Sequence, residues 1–327
     1  MRSCMQAEIR LPAWLYQQLA IVASMATVLC RFLDAEGRTL VGQPIATDDD
    51  GIPTAAQLLA SQDILGGDLT LTSETVAVSK LLAPISPVAI VCIGLNYAQH
   101  AAESGMAAPE RPVVFMKTVS TLNHPGDPID LPKIETKPDY EVELAIVIGK
   151  QGCKDVSKEE ALDYVLGYTV ANDVSGRLWQ IEQGGGQWCF GKSFDTFTPL
   201  GPVIATTAAI PDPQTLDCKT TIDGEILQNS NTSDMIFSCA DIVAFRGHHR
   251  PSVSLSCRTK QLHFAACQLA IYRGSTHIAL IVLLHCSLAR NHASPRNSDL
   301  HGYPSGCRHG AISAALVKAW RNGDSGD

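Results

Sequence analysis

The chain has 327 residues and a mass of 35.0 kDa, enough for one large or two ordinary domains, and its 45% hydrophobic content is ordinary for a globular protein. A formal net charge of −8 argues against nucleic acid as the main partner, and no run of about 18 apolar residues marks a membrane span. Eleven Cys, with no C-x-x-C pair and no zinc spacing, read as reduced intracellular thiols. That points to the cytoplasm, with the mitochondrion as the alternative.

The statistics change after Phe245. Residues 246–327 hold 3 of the 33 acidic residues, 10 of the 25 Lys and Arg, and eight of the ten His, leaving net −15 before them and net +7 within. Such a break marks either a basic arm or a translated stretch never selected as protein, such as a retained intron or a shifted frame. The irregular placing of His and Cys favours the second. The tail is therefore expected to be atypical and disordered, apart from one strand within 276–287 around the apolar run Ile278–Leu284.

In chain order, residues 1–25 read as an N-terminal extension. Glu8 and the Gln17-Gln18 pair spoil a signal-peptide core, and Met25 offers an alternative start. Val28–Leu33 and Thr39–Ile45 flank Asp34–Arg38, a hairpin with Gly37 in its turn. Thr54–Ser61 presents an apolar helical face, and Val76–Leu82 is a short strand ending in the stiff connector Pro84-x-x-Pro87. Residues 26–85 are expected to form a small accessory domain without chemistry of its own, and 86–245 the catalytic domain.

Ala89–Gly94 is a buried strand, followed over Leu95–Gly105 by a short helix ended by glycine. His100 and Glu103 are spaced i, i+3 on it. A carboxylate beside an imidazole fixes its tautomer and raises its basicity, as a general base requires; a solvated surface pair is the alternative. Val113–Lys117 is another strand, with a lysine at its end. Ser157–Glu160 makes a capping box for a helix through Tyr164, and Tyr168–Ala171 is a strand leading into the polar Asn172–Arg177. Gly184-Gly185-Gly186 lacks the Lys-Ser/Thr and the helix of a phosphate cradle and is set aside. Lys192, among aromatics and turns, is a candidate oxyanion partner, a surface lysine being the alternative. Cys218–Ile222 and Glu225–Gln228 form a hairpin across Asp223-Gly224, and Thr232–Phe245 reads as helical.

The centre of the pattern is Asp139–Gly149. From Val142 onward it is an aliphatic, β-branched run closed by glycine, a buried strand. Side chains alternate across a strand, so Glu141 and Glu143 share a face about 6.6 Å apart, within reach of one ion. Two like charges beside an apolar strand disfavour each other's ionisation, and a divalent cation removes that cost. Oxygen-only ligands suit Mg²⁺ or Ca²⁺. A strand end whose two Glu face solvent is the alternative.

Gly94-Leu95-Asn96-Tyr97-x-x-His100-x-x-Glu103, Asp139-Tyr140-Glu141-x-Glu143-Leu144, Asn172-Asp173-x-Ser175-x-Arg177 and Gly191-Lys192-Ser193-Phe194-Asp195 occur in that order. Together, over about residues 27–245, they resemble the fumarylacetoacetate hydrolase superfamily, especially its branch with a short N-terminal domain. The resemblance implies a mainly β, α+β fold, a mixed β-sandwich or β-roll, commonly a homodimer, with a Mg²⁺ or Mn²⁺ site. It places the metal ligands at Glu141, Glu143 and Asp173, a lid dyad at His100 and Glu103, and an active-site lysine at Lys192. Lys117 and Arg177 fall in matching motifs as substrate-binding residues. The implied chemistry is hydrolysis, decarboxylation or tautomerisation of a small 2-oxo or 2,4-dioxo acid. The tail departs from the family, whose closing strands and Thr-Gly-Thr-Pro substrate loop should follow the Asp234–Phe237 region. The alternative is thus an inactive or binding-only product of the same lineage.

Overall fold

A computed structural model describes residues 5–10, 25–103, 105–149, 153–248 and 280–285, the first and last of these spans as backbone. The strands in chain order are β1 (Met5–Arg10), β2 (Val28–Leu33), β3 (Thr39–Thr47), β4 (Pro53–Leu59), β5 (Leu71–Ala77), β6 (Lys80–Leu82), β7 (Ala89–Gly94), β8 (Val113–Lys117) and β9 (Leu122–Asn123). They continue as β10 (Pro138–Asp139), β11 (Val142–Ile148), β12 (Val165–Asn172), β13 (Ser175–Gly176), β14 (Thr198–Pro199), β15 (Ile204–Thr206), β16 (Asp217–Ile222), β17 (Glu225–Asn231) and β18 (Leu280–His285). The fold is α+β and mainly β.

One large sheet runs β5-β4-β3-β2-β15-β12-β11-β18-β7-β8, with β6 also paired to β2. The strands of 26–85 join the rest through the antiparallel pairing of Ile204 with Leu29 and Ala205 with Val28. Every residue of β11 is buried, as expected for a strand covered on both faces. Val142, Leu144, Ile146 and Ile148 enter one core with Leu216, Cys218 and Ile242, so β16 and the helix Cys239–His248 cover that face. Ala145 and Val147 enter the opposite core with Ile90, Cys92, Phe115 and Leu200.

Several local expectations are revised. Thr54–Ser61 is not helical: β4 pairs with β3 on one side and β5 on the other. Its Ala55, Ala56, Leu58 and Leu59 fit a helical stripe, but two neighbouring ladders outweigh that weak local preference. Val76–Leu82 is divided between β5 and β6, because Val78 N–H bonds to Thr54 and Ser79 N–H to Leu33. Ser157 and Glu160 do make the reciprocal bonds of a capping box (3.3 Å each way between amide and side chain), but they lead into a 3₁₀ turn, Ala161–Tyr164. Thr232–Phe245 holds a 3₁₀ turn, an extended link and then the helix Cys239–His248.

The tail contributes one described strand. β18 lies between β11, to which it is antiparallel, and β7, to which it is parallel. Where closing strands were expected to be lacking, a tail strand therefore occupies the middle of the sheet. The expectation for the remainder of 249–327 lies outside the described residues. At the other end, β1 pairs with β16 to make a three-stranded sheet with β17.

Candidate active site

Strands β11 and β12 form a tight antiparallel pair, and their charged ends bring Glu141 and Asp173 together. Asp173 N–H bonds to the Glu141 carbonyl at 2.9 Å, so the two backbones are locked before any side chain is considered. Lys192 then reaches both acids from the short helix Cys189–Lys192: its Nζ donates to Glu141 Oε2 at 2.6 Å, to Asp173 Oδ2 at 2.8 Å and to Ser175 Oγ at 2.8 Å. A Cβ on Gly191 would stand 2.5 Å from the Gln180 nitrogen and 2.7 Å from the Gly176 carbonyl. Only glycine lets that turn press close enough to deliver the lysine.

Two further cations complete the network. Lys117, from the end of β8, donates to Asp173 Oδ1 at 2.5 Å and to the carbonyls of Phe197 (2.7 Å) and Val174 (3.1 Å). Arg177 donates to Glu141 Oε1 at 2.5 Å, to Asp139 Oδ2 at 2.9 Å and to Gln180 Oε1 at 2.5 Å. Glu141, Glu143, Asp173, Lys117 and Lys192 are buried, whereas the Arg177 side chain is 20% exposed and forms the solvent-facing edge.

The two lysines are pushed apart. Burial disfavours the Lys192 charge, but Asp173 and Glu141 outweigh it and hold the ammonium above its ordinary value. Burial is the main cause of a lowered value for Lys117, with the Lys192 charge adding to it and Asp173 opposing. Arg177 is raised: burial opposes its charge, and Glu141 and Asp139 prevail. Beneath the site, burial pushes the Cys92 thiol well up, and the charges of Asp173 and Glu143 add to the effect.

Five of the predicted residues, Glu141, Asp173, Lys117, Arg177 and Lys192, thus belong to one hydrogen-bonded network. Glu143 is buried two residues along β11. Among the described residues, no three His, Cys, Asp or Glu side chains are grouped to hold one ion, and the Lys192 ammonium stands where Glu141 and Asp173 converge. The donor chemistry still suits a hard cation. Asp139, Glu141, Glu143 and Asp173 are acidic, against the positive Lys117, Arg177 and Lys192, so with all ionised the group keeps a net negative charge.

His100 and Glu103 stand on a separate element, the helix Ala98–Glu103 after β7. His100 is half-buried and Glu103 exposed, with Glu103 Oε1 accepting from Gln99 Nε2 at 3.0 Å. The start of this helix is tied down. Buried Asn96 donates to the Phe237 carbonyl (3.0 Å) and accepts from Phe237 N–H (2.9 Å), while Gln99 N–H bonds to Asp234 Oδ2 at 3.0 Å. Leu95, at the junction, has φ 52°, a left-handed conformation costly for leucine. Sequence reasoning assigned no roles to Ser175, Asp139, Gln180 or Asn96, although Ser175, Asp139 and Asn96 all lie inside its motifs.

Fold and site together define a mainly β protein with a buried carboxylate–lysine cluster at a strand end. The family model described as fumarylacetoacetate (FAA) hydrolase C-terminal matches residues 89–250. A fumarylacetoacetate hydrolase from Exiguobacterium antarcticum is 30% identical, with a TM-score of 0.54, covering 67% of this chain and 81% of that one. A 5-carboxymethyl-2-hydroxymuconate delta-isomerase from Mycobacterium smegmatis is 28% identical, with a TM-score of 0.62, covering 80% and 88%. The chain belongs to the fumarylacetoacetate hydrolase superfamily. A Burkholderia cenocepacia (strain HI2424) protein named as a hydrolase is 57% identical over 153 residues, 47% of this chain and 54% of the relative. The chain therefore spans about half the length of the curated relatives it matches. No helix of the described residues is long and apolar enough to cross a membrane.

Proposed function

We propose that the protein is an enzyme acting on a small 2-oxo or 2,4-dioxo acid, of acylpyruvate or oxaloacetate type, by C–C bond hydrolysis, decarboxylation or tautomerisation. The observation that carries this is the buried Lys192 ammonium shared between Glu141 and Asp173, a preorganised positive charge in a water-poor site. The family membership and the relatives named as a hydrolase and an isomerase support it.

Lys192 stabilises the enolate or oxyanion that develops on the substrate. Arg177, the one cation of the cluster with a solvent-facing side chain, anchors a substrate carboxylate. Lys117 orients Asp173 and assists in holding the acid. His100, held by Glu103, moves a proton or activates water when its helix closes as a lid over the site. Glu141, Glu143 and Asp173 would hold a Mg²⁺ or Mn²⁺ ion, with Ca²⁺ also compatible with oxygen ligands. Such an ion supplies Lewis-acid polarisation of a substrate carbonyl. A homodimer belongs to the same proposal. Exposed Val113, Val114 and Met116 on β8 and Phe190 beside the site are apolar surface that a second copy would cover.

The test is turnover by the purified full chain with acylpyruvate and oxaloacetate, with Mg²⁺ or Mn²⁺ and after EDTA. Metal-dependent release of pyruvate, or keto–enol exchange, is expected, and Glu141→Gln should abolish it. A well-folded chain without turnover on any of these acids would favour the inactive, binding-only alternative.

A further inference from the structure

Successive N–H groups of a strand point to opposite sides. At the start of β11, Glu141 N–H turns toward β12 and is accepted by Asn172 Oδ1 at 3.1 Å. Val142 N–H therefore faces the β18 side. The described part of the β18 ladder stops one residue short of Val142, at the pair Glu143–His285. The Val142 N–H is taken instead by Gln228 Oε1 at 3.0 Å, delivered from β17. The same oxygen accepts the Thr220 hydroxyl at 2.6 Å, which fixes the amide in place.

The hairpin sacrifices hydrophobic burial for this contact. Gln228 is 5% exposed, whereas Ile226, two residues earlier in β17, is 51% exposed. Burying a side-chain amide while leaving an isoleucine in water is unfavourable unless the amide's acceptor is used. Here it is used twice.

We infer that Gln228 is a positioning residue for the carboxylate site: by holding the peptide between Glu141 and Glu143, it fixes where both carboxylates stand. The inference rests on the proposed role of those carboxylates in holding a divalent ion. Partners that orient metal ligands typically account for 10–100-fold in affinity.

The experiment compares Gln228→Met, which keeps the shape and removes the acceptor, with Gln228→Glu, which restores an acceptor, in the full chain. Mn²⁺ binding is followed by electron paramagnetic resonance and Val142 amide exchange by NMR. Gln228→Met should weaken Mn²⁺ binding about 10–100-fold and speed Val142 exchange roughly tenfold. Gln228→Glu should recover most of both. Should the Met variant fail to fold, Gln228→Asn, too short to reach Val142, takes its place. Unchanged Val142 exchange in Gln228→Met overturns the inference. So does wild-type Mn²⁺ affinity in that variant when Glu143→Gln has lost it, and the metal site then stands without Gln228. A wild-type chain that binds no Mn²⁺ overturns the metal site and the inference together.

Discussion

The charged end of β11 and β12 and the helix Ala98–Glu103 hold the residues proposed for catalysis, and they are built in opposite ways. At the strand end, Glu141 and Asp173 are each fixed by two cationic side chains from different elements, and the lysines and glutamates are buried. The helix exposes Ala98, Gln99, Ala102 and Glu103, and the described ties of its start run through Asn96 and Asp234. Over-determined buried charges cannot relax when one partner is lost, whereas a short, largely exposed helix can be altered without disturbing the core. The residues proposed for catalysis therefore divide between a rigid, buried half and a more exposed half.

That contrast is broken most severely by Lys192→Met. Glu141 and Asp173 would lose their shared cation while staying buried, and removing one partner of a buried pair costs about 3–5 kcal/mol. Urea denaturation should show this loss together with loss of activity; wild-type stability in the variant would mean that the charges are solvated. Asn96→Ala comes next. It leaves the Phe237 amide and carbonyl without their buried partner, for a loss of about 1–3 kcal/mol. Faster amide exchange across 98–103 should accompany the loss, and unchanged exchange there would show that the helix is anchored elsewhere.

A smaller, pH-dependent effect is expected at His124. Its Nδ1 accepts the Ala83 N–H at 3.0 Å, which requires the neutral ring, and burial lowers its proton affinity below the ordinary value of 6.5. The unfolded chain then binds more protons than the folded one just below that pH. Stability is complete above about 6.5 and falls as pH drops toward the lowered folded value. In thermal melts between pH 7 and pH 5, His124→Gln should flatten this slope; an equal slope would locate the titration elsewhere. His100→Ala should change stability least, within about 0.5 kcal/mol, yet lower kcat about 10²–10⁴-fold. A variant with full kcat would remove His100 from the mechanism.

Much of the rigid half was legible because its signals are local. The run Val142–Ile148 announced a strand buried on both faces, and Asp223-Gly224 announced its hairpin, with φ 51° and 84° at the turn. The acids and cations of the cluster also sit in recognisable motifs. What the sequence did not show is who pairs with whom. Lys192 meets Glu141 across 51 residues, Gln228 meets Val142 across 86, and Asn96 meets Phe237 across 141. No periodicity records such distances. β4 was misread for a related reason: its small apolar residues satisfy both periods, and only the neighbouring strands decide.

The place of β18 carries a consequence for biosynthesis. A ribosome delivers β7 and β11 long before Leu280, yet in the finished sheet Leu280–His285 lies between them. Until that segment emerges, the nascent chain holds a gap one strand wide, with unpaired amides and carbonyls on both rims. Completion then depends on contacts of very large sequence separation, the slowest kind to form. During that interval the gap is open to any extended peptide, including the same segment of another nascent chain. Translation speed and chaperone supply over the last stretch of the message should therefore govern the yield of native protein.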